Sequence, residues 1–243
     1  MAVSVRMDDE KNYRAPNEVV VRTRRKRRQP RYYQRMPKRN RVFVARGLRA
    51  PVPYKLTTAM IYNERVTLSP TLGLPGVHVF SANGTFDPNI TGVGHQPRGF
   101  DQMMALYDHN VVIYSEICVD YHPQNAGATI TPAIAIVALR DFSSVSLNRD
   151  DYIELSDTVW KTTSPQGSAT RIKMAENPNK FLGRGSPLSD PDLKNSNSSN
   201  ATEQAYWHVA LANATGTDPS SISVNVVIKY TVVFLEPKNV GQS

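Results

Sequence analysis

Thirteen lysines and arginines occupy positions 22–49, and no aspartate or glutamate stands among them. Cations at this density bind phosphate. Each neutralised phosphate releases condensed counterions, so the affinity is strong, indifferent to sequence and sensitive to salt. The groups expected to carry it are Arg22, Arg24, Arg25, Lys26, Arg27, Arg28, Arg31, Arg35, Lys38, Arg39 and Arg41. Arginine forks suit phosphate oxygens. Tyr32 and Tyr33 lie inside the run, where their rings are placed to stack on unpaired bases. Gln29 and Gln34 add polar contacts. The unbroken cluster Arg24-Arg25-Lys26-Arg27-Arg28 would also serve as a nuclear localisation signal read by nuclear import machinery. The competing reading is a solvated basic tail with no partner, against which the density and the lack of a single acid weigh.

Other chemistries find no constellation. The five histidines, His78, His95, His109, His122 and His208, never fall in a His-x-His or His-x-x-x-His pair, so they lack the spacing that fixes a metal ion. One cysteine, Cys118, permits neither an intrachain disulfide nor a cysteine-based zinc site. It reads as a small buried hydrophobe on a strand. No Gly-x-Ser-x-Gly elbow and no phosphate-binding glycine loop occurs. Asp150-Asp151 and Asp190-x-Asp192 offer oxygen ligands for calcium between subunits. Their plainer reading is solvated turn residues, with Asp190-Pro191 favouring a turn. His208 reads as a satisfied structural histidine, and Trp160 and Trp207 as packing residues. No catalytic residue, metal or cofactor is expected, and the chain is expected not to be an enzyme.

The elements that must position the cationic run divide the chain by charge. Residues 1–50 hold 16 basic and 4 acidic groups, net +12, and the remainder holds 13 and 17, net −4. An arm of this charge density has few apolar groups to offset ordering entropy, so residues 1–50 are expected to be a largely disordered arm. Residues 51–243 are expected to form one folded domain, entered through the extended dipeptides at Pro51 and Pro53. No long apolar run and no apolar leader is present, so neither membrane insertion nor a signal peptide is expected. The five Asn-x-Ser/Thr sequons, beginning at Asn83, Asn89, Asn197, Asn200 and Asn213, read as coincidence in a chain rich in these residues.

Within the body, strands are expected at 54–68, 77–80, 113–121, 130–139, 205–212 and 224–235, with weaker candidates at 152–155 and 169–174. Val224, Val226, Ile228, Tyr230, Val232 and Phe234 share one face at strict period two. Trp207, Val209 and Leu211 share another, and Ile113, Ile117, Val119 and Tyr121 a third. The apolar run at 130–139 suits a strand covered on both faces. One helical pattern, Phe100, Met103, Met104 and Tyr107, predicts two to three turns with these side chains buried. The long polar stretch 186–203 is too hydrophilic to be core and reads as a functional surface loop or disorder. About eight strands in roughly 190 residues favour an all-β fold: a single eight-stranded antiparallel jelly roll with one short helix.

Two stretches carry a family resemblance. Pro97-Arg98-Gly99-Phe100-Asp101-Gln102-Met103-Met104-Ala105-Leu106-Tyr107-Asp108-His109 precedes a strand at 111–121, and Ile228-Lys229-Tyr230-Thr231-Val232-Val233-Phe234-Leu235-Glu236-Pro237-Lys238 forms the last strand. With the arginine-rich N-terminus, they make the chain resemble, over roughly residues 50–238, the capsid proteins of circoviruses and other small circular single-stranded DNA viruses that encode a replication initiator. The resemblance implies a jelly roll whose copies close an icosahedral T=1 shell, a virion component that passes through the host nucleus. At the roughly 60 subunits it implies, arms of net +12 would bring on the order of 700 positive charges to a single-stranded genome. The loop 186–203 would face outward, towards a cell-surface receptor. Coat proteins of some small RNA viruses share similar segments, and a nucleic-acid-binding movement or nucleocapsid-like protein or a jelly-roll lectin or enzyme are the other readings. The lack of a well-formed multi-aspartate calcium motif leans towards DNA.

Overall fold

In the last strand, Ile222–Pro237, side chains from Val224 to Val232 alternate between a buried row and a more exposed one. A pleated strand sends successive side chains to opposite faces, so this row fixes which face of the strand meets the core. The computed structural model describes residues 52–122, 131–163 and 168–239, all within the unit Gly47–Ser243. Eight strands run through them: β1 (Lys55–Leu68), β2 (Gly76–Ser81), β3 (Tyr107–Tyr121), β4 (Ala133–Arg140), β5 (Thr158–Thr163), β6 (Thr170–Glu176), β7 (Tyr206–Asn213) and β8 (Ile222–Pro237). They form two four-stranded sheets, ordered β1-β8-β3-β6 and β2-β7-β4-β5. Every pairing is antiparallel. Two such sheets, with first strand beside last and every connection except β4–β5 crossing between them, make an eight-stranded jelly roll.

The core lies between the sheets. The inward row of β8 meets Trp207, Val209 and Leu211 of β7 and Ala133, Ala135, Val137 and Leu139 of β4. Fully burying a side chain of this size contributes about 1.5–3 kcal/mol. Three buried polar groups bridge the sheets within this apolar layer. The Tyr121 hydroxyl donates to the Ile136 carbonyl (2.6 Å), the Tyr230 hydroxyl to the Ser81 carbonyl (2.7 Å) and the Trp207 indole N–H to Ser115 Oγ (3.0 Å). A buried donor left without an acceptor costs more than its bond contributes, so these links hold the two sheets in one register. β4 is also covered on its other face, where Ile136 and Ala138 pack with Tyr152, Ala210 and Ala212.

Several sequence expectations are corrected. Ile113 leaves the inner face because the β3–β8 register shifts between Val112 and Tyr114; the bulged residue packs instead against an outer cluster of Val111, Leu193, Val233 and Leu235. Cys118 sits on the outward row of β3 and is only partly buried. The helical pattern gives a short helix α1 (Phe100–Met104), because Tyr107 already pairs with Pro237 at the start of β3. The strand candidate 152–155 lies largely in a helix, α2 (Arg149–Glu154), whose capping box joins Asn148 and Asp151. A third short helix, α3 (Pro178–Phe181), follows β6. β5 escaped the pattern search because it is an edge strand with weak alternation, and its Trp160 is 48% exposed instead of packed.

The polar stretch 186–203 contributes to packing. A 3₁₀ turn at Pro191–Leu193 drives Leu193 under the outer cluster. Asn195 is fully buried: its Nδ2 donates to the Asn83 carbonyl (2.9 Å) and its Oδ1 accepts from Ala201 N–H (2.9 Å). Asn83 and Asn89, two of the sequon asparagines, are also buried. No helix among the described residues is long and apolar enough to cross a membrane.

Candidate nucleic-acid interface

Arg22, Arg24, Arg25, Lys26, Arg27, Arg28, Arg31, Tyr32, Tyr33, Arg35, Lys38, Arg39 and Arg41 lie outside the described residues. The described residues begin at 52 and present the surface of the body. The chain enters the described body at Val52, which packs on the core. The Pro53 carbonyl accepts from the buried Tyr107 hydroxyl at 2.9 Å, and the Tyr107 ring lies 5.6 Å from that of Phe234. Tyr54 is 68% exposed, and β1 begins at the next residue.

The outward face of the β1-β8-β3-β6 sheet is half covered. Towards the ends of β3 and β8 near residues 111 and 235, Leu193 and the partly buried Leu182 and Leu188 roof it. A lysine-carboxylate cluster fastens that roof: Glu236 accepts from Lys194 (2.6 Å) and from His109 (2.5 Å). Those two contacts, Lys194 first, hold the Glu236 carboxyl below the usual carboxylate range. Its backbone φ of 60° is left-handed, uncommon for a residue with a side chain.

Among the described residues, the other half is bare. One rung across the four strands reads Arg65, Asn225, Asp120, Arg171, and the next reads Asn63, Val227, Cys118, Lys173. A third carries Ile61, Lys229 and Glu116, and Tyr114 follows opposite Thr231. Arg171 meets Asp120 in a two-point ion pair (2.6 and 2.8 Å), which lowers the Asp120 pKa. Ile61 and Tyr114 are 57% and 43% exposed. The sequence alternation that turns Ile117, Val119 and Tyr121 inward leaves Glu116 and Asp120 on this side of β3. It missed the cations of β1, β6 and β8, because a face shared by four strands is assembled only by their register.

The strands of the opposite sheet carry two cations, Arg140 and Lys161, and no acid; the acids lie in the segment between β4 and β5. Residues 141–157, which bear α2, hold five acids and one base. Beneath them His208 is fully buried. The Tyr152 hydroxyl lies 2.7 Å from its Nδ1 and the Phe142 carbonyl 2.8 Å from its Nε2. The carbonyl only accepts, so Nε2 carries the proton and Nδ1 accepts from the tyrosine. Burial lowers the His208 pKa and pushes that of Tyr152 up to about 12. His208 is thus the satisfied structural histidine expected.

The remaining histidines are dispersed. His78 meets Asn89 (2.9 Å), His95 stacks on Tyr62 (4.7 Å), and His122 is exposed beyond β3. Among the described residues, no group of three or more His, Cys, Asp or Glu is arranged to hold a metal. Asp190 and Asp192 turn to Arg184, which also pairs with Glu203 (3.0 Å). Asp190 additionally caps the 3₁₀ turn, and Asp151 closes the α2 capping box. These are the turn and cap roles of the plainer reading.

No family model and no curated protein matches the chain. Among solved structures, it is similar to Desmodium yellow mottle tymovirus (14% identity, 80% of this chain and 95% of that one, TM-score 0.40). It is also similar to the 60-mer BFDV capsid protein (9% identity, 78% and 97%, TM-score 0.43). A third similarity is to a semi-empty particle of the giant freshwater prawn Macrobrachium rosenbergii nodavirus (11% identity, 79% and 100%, TM-score 0.40). All three scores are low.

Proposed function

We propose that the chain is the coat subunit of a circovirus-like virus, closing a small icosahedral shell and packaging single-stranded DNA through its N-terminal arm. The observation that carries this reading is the union of a jelly roll with a run of thirteen cations free of any acid. The roll supplies shape and lateral contacts, and the run neutralises phosphate. Closed point-group assembly of about 60 identical bodies concentrates those runs on one side of the shell. The body's net −4 is small, so copies approach one another once their arms are neutralised. Tyr32 and Tyr33 stack on bases that only single strands expose. Arg24–Arg28 directs the subunit to the nucleus, where such a genome would be met. The engagement of Asp190 and Asp192 with Arg184 favours assembly without calcium.

The test is expression of the full chain, followed by separate DNase and RNase treatment of the particles. Uniform closed particles are expected. They should protect nucleic acid, and a variant with all eleven arm cations from Arg22 to Arg41 changed to Gln should lose it. Undiminished nucleic acid in that variant would refute the assignment of the arm.

A further inference from the structure

We infer that the bare half of the β1-β8-β3-β6 sheet is a second nucleic-acid contact, a surface on the folded body that continues the grip of the arm. The inference rests on the reading of the arm as a phosphate-binding leader and assigns a site that the arm does not contain. Four cations, Arg65, Arg171, Lys173 and Lys229, stand on this face against two carboxylates, Glu116 and Asp120. Asp120 is already satisfied by Arg171. The face is therefore net positive on a body that is net −4, while residues 140–161, on and over the other sheet, hold five acids and three bases. The body is polarised across its two sheets. A polyanion approaching it meets attraction on one side and repulsion on the other.

Spacing and chemistry fit a single strand. Arg171 and Lys173 are two residues apart on one strand, about 7 Å along the sheet, comparable to the step between phosphates of an extended single strand. Lys229 lies on the far side of β3, about two strand spacings away, roughly 10 Å. One rung beyond Lys229, on the neighbouring β3, Tyr114 exposes a ring on which a base can stack. Asn63 and Asn225 supply neutral donors and acceptors in the same rungs. A face with cations on β1, β8 and β6 and an aromatic beside them suits sequence-tolerant binding, the kind a packaged genome requires.

The experiment uses the full chain freed of nucleic acid in high salt, and a fluorescein-labelled 20-mer of deoxythymidylate. Affinity is followed against salt for the wild type and for the triple variant Arg65→Gln, Lys173→Gln, Lys229→Gln. A control, Arg98→Gln, Arg149→Gln, Lys180→Gln, makes the same change of charge elsewhere on the body. Three lost phosphate contacts lower the slope of log K against log salt by about 2, and the control leaves it unchanged. An equal fall in both variants, or none in the face variant, overturns the inference. In parallel, a bromodeoxyuridine 20-mer is photo-crosslinked to the unmodified chain, which decides the matter even if the triple variant misfolds. Crosslinks on the peptide containing Tyr114 are expected. Crosslinks confined to residues 22–41 overturn the inference while leaving the arm reading intact, whereas no binding by the wild type refutes the arm reading itself. Protection of Lys173 and Lys229 from acetylation in empty particles would assign the face to subunit contact and likewise overturn it.

Discussion

Asn195→Ala should destabilise the body severely although it removes only a small polar side chain from a stretch that reads as loop. Asn195 is fully buried, and two backbone groups depend on it. The Asn83 carbonyl takes its Nδ2 proton at 2.9 Å, and the Ala201 N–H gives its proton to Oδ1 at 2.9 Å. Asn110 keeps other partners after the change, since its carbonyl still accepts from the Asn195 backbone N–H and its Oδ1 from Thr85. Two buried groups are therefore orphaned. At about 1–3 kcal/mol for each, a central value near 4 kcal/mol follows. For a body of this size that corresponds to a fall in melting temperature of about 8–16 °C. Urea unfolding of the dissociated full chain at fixed concentration, followed by the fluorescence of Trp207, measures it. Asn197→Ala, exposed in the same stretch, should stay within about 0.5 kcal/mol of wild type. Equal midpoints for Asn195→Ala and wild type would show that the loop is not pinned through this side chain.

Acid should loosen the sheet that carries α2. The folded-state pKa of His208 is depressed by burial, so its contribution is complete above the unfolded value of about 6.5 and erodes as pH falls below it. His208→Gln should be less stable at pH 8 but lose less between pH 7.5 and 5; parallel losses in the two proteins would remove His208 from the effect. Gly76→Ala should cost about 1–3 kcal/mol by overpacking, because a Cβ there would lie 2.5 Å from the Ser69 backbone nitrogen; an unchanged urea midpoint would contradict it. Arg184→Ala should free Asp190, Asp192 and Glu203 together and raise proteolytic nicking within 186–203, while protease resistance like that of wild type would show that the three acids do not need their common cation.

The jelly roll was legible because its inner faces are written at period two. The inward row of β8 and the Trp207, Val209, Leu211 row of β7 were each visible as alternation and each lies in the core. What misled was local chemistry that outweighed periodicity. Asn148 and Asp151 close a capping box that winds a strand candidate into α2, and a bulge moves Ile113 to the outer face. Polarity misled at 186–203, since an asparagine side chain can be buried when its donors and acceptors are satisfied, as those of Asn195 are by the Asn83 carbonyl, the Asn110 side chain and the Ala201 N–H. The arm was legible from charge alone. The cationic face was not, because Arg65, Lys173 and Lys229 are more than fifty residues apart in sequence and meet only through strand register.

The most direct measurement is electron microscopy of the purified full chain, with its nucleic acid quantified before and after DNase. The account predicts uniform closed shells holding single-stranded DNA that resists the enzyme until the shell is opened. Lone subunits in every buffer, carrying no DNA even at low salt, would contradict it.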